Sequence, residues 1–271
     1  MSSAASDSRW NAYLSHGMTR VDGWLHPFSA AFIASIADFQ RQGGLEGSVG
    51  EIGVHHGKLF ILLHTLSDPD KPSFVVDLFE DQHLNVDASG KGDYAQFRKN
   101  LARWTDAPDR IEIFKGSSLE LDPAAVVAAC GRARLMSVDG GHTEECTRND
   151  LEIGEAVSQP YGVVVIDDYF NEYFPEVSVG VHTYLAQGRF RPFAITPGKL
   201  YLAHPQFVAG YRKWLKERWA LRYVKTCQML DSEVDLFAVR YGSYPVWKRA
   251  LADTPLFPRL KQLKARLTNG A

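Results

Sequence analysis

Three cysteines, Cys130, Cys146 and Cys227, are all that 271 residues contain, and no two of them form a CxxC pair. An odd, widely spaced set excludes a disulfide framework and a zinc ribbon, and it suits a reducing cytoplasm. Basic charge is not in excess. Thirty Lys and Arg face thirty-two Asp and Glu, a net charge of −2, which leaves nothing to drive binding to a phosphate backbone, so nucleic acid is not expected as a partner. No apolar run reaches the length of a membrane span. The stretch Phe60–Leu66 is broken by His64 and ends at Asp68, so no membrane is expected either. The first ten residues, MSSAASDSRW, hold no basic segment followed by an apolar one, and a signal peptide is not expected. Repeats and low-complexity tracts are also missing.

What remains is an ordinary globular balance, 45% hydrophobic and 23% charged, enough to bury a sizeable core. Residues 1–27 read as a loose polar arm. Phe28, Phe32, Ile33, Ile36 and Phe39 then recur at helical spacing up to Gly43-Gly44. An alternation follows, with strands predicted at 48–54, 73–78, 110–114, 134–138 and 162–166. Helices are predicted between and after them at 57–66, 94–104, 122–130, 143–157 and 176–186. Phe74-Val75-Val76 and Val163-Val164-Val165-Ile166 are continuously apolar, as strands covered on both faces are. The pattern predicts a doubly wound, mostly parallel α/β sheet of seven strands. A hairpin over 190–204, turning at Pro197-Gly198, is expected to close one edge. It is followed by a helix at 207–219 and a last strand at 235–239. The expected division is an N-terminal arm and helix over 1–45, one domain over 46–241, and a helical appendage over 242–271 that could serve assembly into a homo-oligomer.

Chemistry concentrates at the carboxyl ends of the predicted strands. Glu51-Ile52-Gly53-Val54-His55-His56-Gly57 joins the first strand to its helix. Gly53 permits a tight turn and close backbone approach, and Gly57 lets the helix begin near the sheet. A small ligand can sit over that turn and the helix N-terminus. Any Rossmann-like protein can use such glycines, so the turn alone does not choose a ligand. The second strand ends in Asp77, about twenty residues further on, where a carboxylate can accept both hydroxyls of a ribose. The third ends at Lys115-Gly116-Ser117-Ser118, small residues that suit an adenine ring, with Ser117 or Ser118 either bonding the ring or capping the next turn.

Two further groups follow strands four and five: Asp139-Gly140-Gly141-His142 and Asp167-Asp168. If these strands are neighbours, Asp139, Asp167 and Asp168 converge, and carboxylates crowded in one crevice repel unless a cation joins them. Oxygen ligands favour a hard ion, Mg²⁺ or Mn²⁺, over zinc. His142 stands three residues beyond Asp139 across two glycines. An imidazole at that distance can take a hydroxyl proton near neutrality.

The order ExGxxxG, an acidic end to strand two, VDGGH, then VVVIDDY resembles the metal-dependent O-methyltransferases of the class I superfamily over residues 50–185. Within them it is most similar to the branch that methylates sugar hydroxyls on macrolide antibiotics, with catechol O-methyltransferase a more distant relative. The resemblance implies a Rossmann-like methyltransferase fold. It implies S-adenosylmethionine held by Glu51, Gly53, Gly57, Asp77, Ser117 and Asp139, and a divalent metal on Asp139, Asp167 and Asp168. It also implies His142 as the base and a small-molecule acceptor, a sugar or polyketide-type compound. Gln159-Pro160-Tyr161-Gly162 replaces the Pro-Gly-Gly often found before the fifth strand, and 85–92 matches no pattern. Two other readings stand beside this one. One is a nicotinamide-dependent oxidoreductase, although the turn lacks GxGxxG. The other is a non-catalytic binding protein that keeps the fold.

Overall fold

The computed structural model describes residues 10–239. Its first long helix, α1 (Pro27–Gln42), begins where the pattern places it. The His26 side chain accepts the Phe28 amide at 3.1 Å and Pro27 occupies the first turn, where its missing N–H costs nothing. The alternation then proceeds through β1 (Ser48–Ile52), α2 (Lys58–Leu66), β2 (Ser73–Asp77), α3 (Tyr94–Trp104), β3 (Ile111–Lys115), α4 (Pro123–Cys130), β4 (Ala133–Val138), α5 (Glu144–Val157) and β5 (Ser158–Asp167). It ends with α6 (Pro175–Leu185), β6 (Arg191–Thr196), β7 (Lys199–Ala203), α7 (Pro205–Arg218), β8 (Tyr223–Met229) and β9 (Ser232–Phe237).

The nine strands among the described residues form one sheet in the order β3-β2-β1-β4-β5-β7-β6-β9-β8. The expected seven strands are therefore nine, and the 190–204 hairpin is interior rather than an edge. β7 pairs antiparallel with β5, β6 pairs parallel with β9, and β8 is the outer strand on that side. β8 has only half-buried and exposed positions, so it carries no apolar run. Successive side chains of a strand point to opposite faces. In β5, Val163 and Val165 join one core while Val164 and Ile166 join the other. The first core packs under α1, α2, α3 and α7, and the second under α4, α5 and α6. Each such valine or isoleucine contributes about 1.5–3 kcal/mol of burial.

The segment before α1 is not a loose arm over its described part. Tyr13, Met18 and Val21 are buried in the first core, and the Tyr13 hydroxyl donates to the Lys58 carbonyl at 2.6 Å. This ties residues 10–26 to the start of α2. The appendage expected over 242–271 lies outside the described residues.

The chain runs from β1 outward to β2 and β3, then crosses back to β4 beside β1. Such a switch point opens a crevice at the carboxyl ends of the two strands. There the Gly53 amide donates to the Val76 carbonyl at 2.8 Å, and the Asp139 amide donates to the Ile52 carbonyl at 2.8 Å. The glycine turn and the fourth-strand aspartate are thus stitched to one another.

Candidate active site

A cavity of about 940 Å³ opens at this switch point, lined by Gly53, Asp77, Ser117, Asp139, His142, Asp167 and Asp168 among others. It lies at the upper end of the range for small-molecule sites, about 300–1,000 Å³, so it has room for a cofactor and an acceptor together.

Gly53 has φ +78°, and a Cβ there would overlap the Asp139 carbonyl oxygen. The position therefore demands glycine on both conformational and steric grounds. Gly57, at φ +87°, caps α2, and a Cβ on it would press on Phe97. Gly57 does not reach the cavity wall. Asp77 braces the turn: its Oδ2 accepts the Val54 and His55 amides at 2.6 and 2.9 Å, and its Oδ1 accepts the Phe79 amide at 2.6 Å. Burial raises the Asp77 carboxyl above its usual range, against the pull of those three amides. Ser117 lines the cavity and also caps the short turn that follows, its Oγ accepting the Leu119 amide at 3.3 Å. The capping alternative raised for it is met.

Glu51 lies deeper than expected. It is buried behind the turn rather than in the cavity wall, and its Oε2 has no hydrogen-bond partner among the described residues. Burial, reinforced by the charge of Asp139, raises its carboxyl well above the ordinary value.

Asp139 and His142 follow β4, on a loop closed by α5. The Thr143 side chain caps that helix by accepting the Cys146 amide at 3.2 Å. Asp168 follows β5 with φ +58°, a left-handed conformation uncommon for aspartate and of the kind that collects at functional sites. Its amide donates to the Gly198 carbonyl at 3.0 Å, and its Oδ1 accepts from Asn171 at 3.0 Å. The result is a group of three: Asp139, His142 and Asp168 place one ligand atom each within 4.8 Å of one another. His142 Nε2 lies 3.3 Å from Asp168 and 3.8 Å from Asp139.

Asp167, the third carboxylate of the expected trio, lies outside this group. It is the last residue of β5, in register with Lys199 of β7, and the Lys199 ammonium sits 2.6 Å from its carboxylate. Burial alone would strip Lys199 of its proton, but the charges of Asp167 and Asp139 outweigh it and hold the ammonium. A direct cross-strand partner thus occupies the Asp167 carboxylate.

Two residues that sequence reasoning passed over complete the site. Lys199 is one; a lysine at the mouth of an otherwise apolar strand was the available signal. Asp87 is the other, from the 85–92 segment, and nothing local marks it. Its Oδ2 accepts both the backbone amide and the Nδ1–H of His142, each at 2.7 Å. With the proton held on Nδ1, Nε2 faces Asp139 and Asp168. Phe174 stacks on the imidazole at 3.9 Å between ring centroids. Burial pulls the His142 pKa down, yet hydrogen bonds to Asp139, Asp168 and Asp87 prevail and carry it up to about 10. In this arrangement the imidazolium is itself the cation that balances two carboxylates.

Residues 51–169 match the family model described as a methyltransferase domain. That segment spans the glycine turn, Asp77, the Asp139–His142 loop and the acidic pair. The chain carries a methyltransferase domain. The match favours a methyltransferase over the nicotinamide-dependent reading. No curated protein matches this methyltransferase. Among solved structures it is similar to the O-methyltransferase NovP at 18% identity and a TM-score of 0.55, covering 65% of this chain and 79% of that one. It is also similar to cofactor-bound Rv0187 from MTB at 17% identity and a TM-score of 0.50, covering 73% of this chain and 86% of that one. These likenesses show the fold. Among the described residues no helix is long and apolar enough to cross a membrane.

Proposed function

We propose that this methyltransferase moves a methyl group to a hydroxyl of a small molecule, a sugar or polyketide-type acceptor, with the help of Mg²⁺ or Mn²⁺. The observation that carries the reading is the convergence of Asp139, His142 and Asp168 beside the Gly53 turn. Two carboxylates and an imidazole edge at one point fit a divalent ion, and the raised pKa of His142 marks a place where positive charge is wanted. Asp139 and Asp168 would hold the ion. Asp167, tied to Lys199, would support it only from behind.

S-adenosylmethionine supplies an electrophilic methyl on a sulfonium, and a divalent ion supplies Lewis acidity that makes a nearby hydroxyl easier to ionise. The chain's own work is alignment and proton handling. The Gly53 turn would hold the cofactor, with Asp77 for its ribose and Ser117 for its adenine. Asp87 holds His142 as the Nδ1–H tautomer, so Nε2 is the atom that can take the acceptor's proton. A neutral imidazole is needed for that step, and another cation beside Asp139 and Asp168 favours it. Much of the rate comes from the in-line approach that the cavity enforces.

Turnover of a hydroxyl acceptor should stop in chelator and return with Mg²⁺ or Mn²⁺. His142→Ala should lower kcat by roughly 10²–10⁴-fold with little change in S-adenosylhomocysteine affinity. Full activity of a metal-free protein, or near-normal turnover by a folded His142→Ala enzyme, would remove the ion or the base respectively.

A further inference from the structure

The mouth of the cavity is greasy while its floor is acidic. Among the described residues nine large hydrophobic side chains are exposed, and five of them, Trp24, Leu84, Val86, Leu119 and Tyr173, line this cavity. They come from four separate segments: the stretch before α1, the loop after β2, the turn after β3 and the loop after β5. Trp24 is 81% exposed and Tyr173 79%. Apolar side chains that gather from distant parts of a chain around one concavity mark a binding surface. Lining a cavity rather than standing on a convex face, they suit a small molecule better than another folded surface.

The charges below them are mostly negative. The lining includes the carboxylates of Asp77, Glu120, Asp139, Asp167 and Asp168. Among the described residues of the lining there is no arginine and one lysine, Lys199, already against Asp167 at 2.6 Å. Phosphate groups are bound by arginine, lysine or free amides at a helix start. The Val54 and His55 amides ahead of α2 are taken by Asp77. A divalent ion on Asp139 and Asp168 would still leave the lining without a cation to spare for a diphosphate.

We propose that the acceptor is an uncharged compound that joins a hydroxyl-bearing ring to a flat apolar body, and that nucleotide diphosphate sugars are rejected. The apolar body lies on the rim formed by Trp24, Val86 and Tyr173, and the hydroxyl reaches down to His142. This inference rests on the O-methyltransferase reading above and selects among its acceptors.

The test is calorimetric titration of the full chain, loaded with S-adenosylhomocysteine and Mg²⁺, with three probes sharing one sugar: 4-nitrophenyl α-L-rhamnoside, methyl α-L-rhamnoside and dTDP-rhamnose. The aryl glycoside should bind at least about tenfold tighter than the methyl glycoside, since burying an aryl group is worth that much, and the nucleotide sugar should bind most weakly. Tyr173→Ala and Val86→Ala should each weaken the aryl glycoside severalfold and leave S-adenosylhomocysteine affinity unchanged. Binding of dTDP-rhamnose as tight as the aryl glycoside overturns the proposal. So does failure of the aryl glycoside to bind at millimolar concentration while S-adenosylhomocysteine binds, an outcome that leaves the methyltransferase intact. If S-adenosylhomocysteine itself does not bind, the reading beneath the proposal falls and the proposal with it. Light scattering on the same variants covers the other occupant. A change in oligomeric mass with unchanged glycoside affinity would make the rim a contact between copies and overturn the proposal.

Discussion

Acidification should destabilise this protein through one buried histidine in the helix that follows the cofactor turn. His64 of α2 is 3% exposed and lies between Ser73 Oγ, 2.9 Å from Nδ1, and the Ala107 carbonyl, 3.1 Å from Nε2. Burial, aided by the charge of Arg110, lowers its pKa from 6.5 to about 4. The folded state therefore binds a proton less readily than the unfolded chain. Its contribution is fully present above pH 6.5 and is lost as pH falls toward 4. At about 1.4 kcal/mol per pH unit the whole gap is worth about 3 kcal/mol, and about 2 kcal/mol should be gone at pH 5. Other groups act over the same range. Asp150, pushed up to about 7 by burial, works in the opposite sense, adding stability as the pH falls. His142 loses its contribution as pH rises from 6.5 toward 10, which lowers the pH 7.5 point of wild type and variant alike. The measurement is therefore a comparison: urea unfolding of the wild type and His64→Gln at pH 7.5, 6.0 and 5.0, read as the change in the difference between the two. The variant, which cannot titrate at this position, should close on the wild type by about 2 kcal/mol between pH 7.5 and 5.0. Parallel curves would refute the reasoning and mean that His64 is protonated in the folded state, or that the helix is already open to water.

Asp77→Ala removes the carboxylate that gathers the Val54 and His55 amides. It should weaken S-adenosylhomocysteine at least about tenfold, a loss of about 1.4 kcal/mol of ligand stabilisation visible in thermal shift; an unchanged shift would mean that the turn holds itself. Asp168→Ala should weaken Mn²⁺ by about tenfold or more in paramagnetic resonance titration and leave S-adenosylhomocysteine binding alone; unchanged Mn²⁺ affinity would remove Asp168 as a ligand. Lys199→Met strands Asp167 as a buried charge and should cost about 3–5 kcal/mol in denaturant unfolding, part of which Lys199→Met with Asp167→Asn recovers. A near-neutral single variant would show that water, not Lys199, satisfies that carboxylate.

The alternation of strand and helix was legible because each buried strand and each amphipathic helix writes its period into a short window of residues. The same holds for the Gly53 turn, since a left-handed turn after a strand calls for glycine wherever it occurs. Asp139 and Asp168 were legible as residues that follow apolar strands, because in a parallel sheet those ends share one crevice. The failures have a different origin. β8 sits at the rim of the sheet, half exposed, so its sequence has neither an apolar run nor a clean period. Tyr13, Met18 and Val21 are buried by neighbours far away in the chain, at spacings that fit no single element.

The acidic pair shows the boundary most clearly. Asp167-Asp168 announces two carboxylates at the end of a strand, and nothing local distinguishes them. The distinction comes from a hairpin thirty residues on, whose antiparallel register sets Lys199 opposite Asp167, and from the left-handed turn that sends Asp168 toward His142. Asp87 reaches His142 in the same way, from a loop 55 residues earlier in the chain. Local periodicity and turn chemistry act within a few residues, so they specify elements and the ends at which chemistry gathers. Which carboxylates gather at Nε2 of the imidazole, which is neutralised by a lysine and which orients the imidazole are decided by distances across the sheet, and those exist only once the chain has closed on itself.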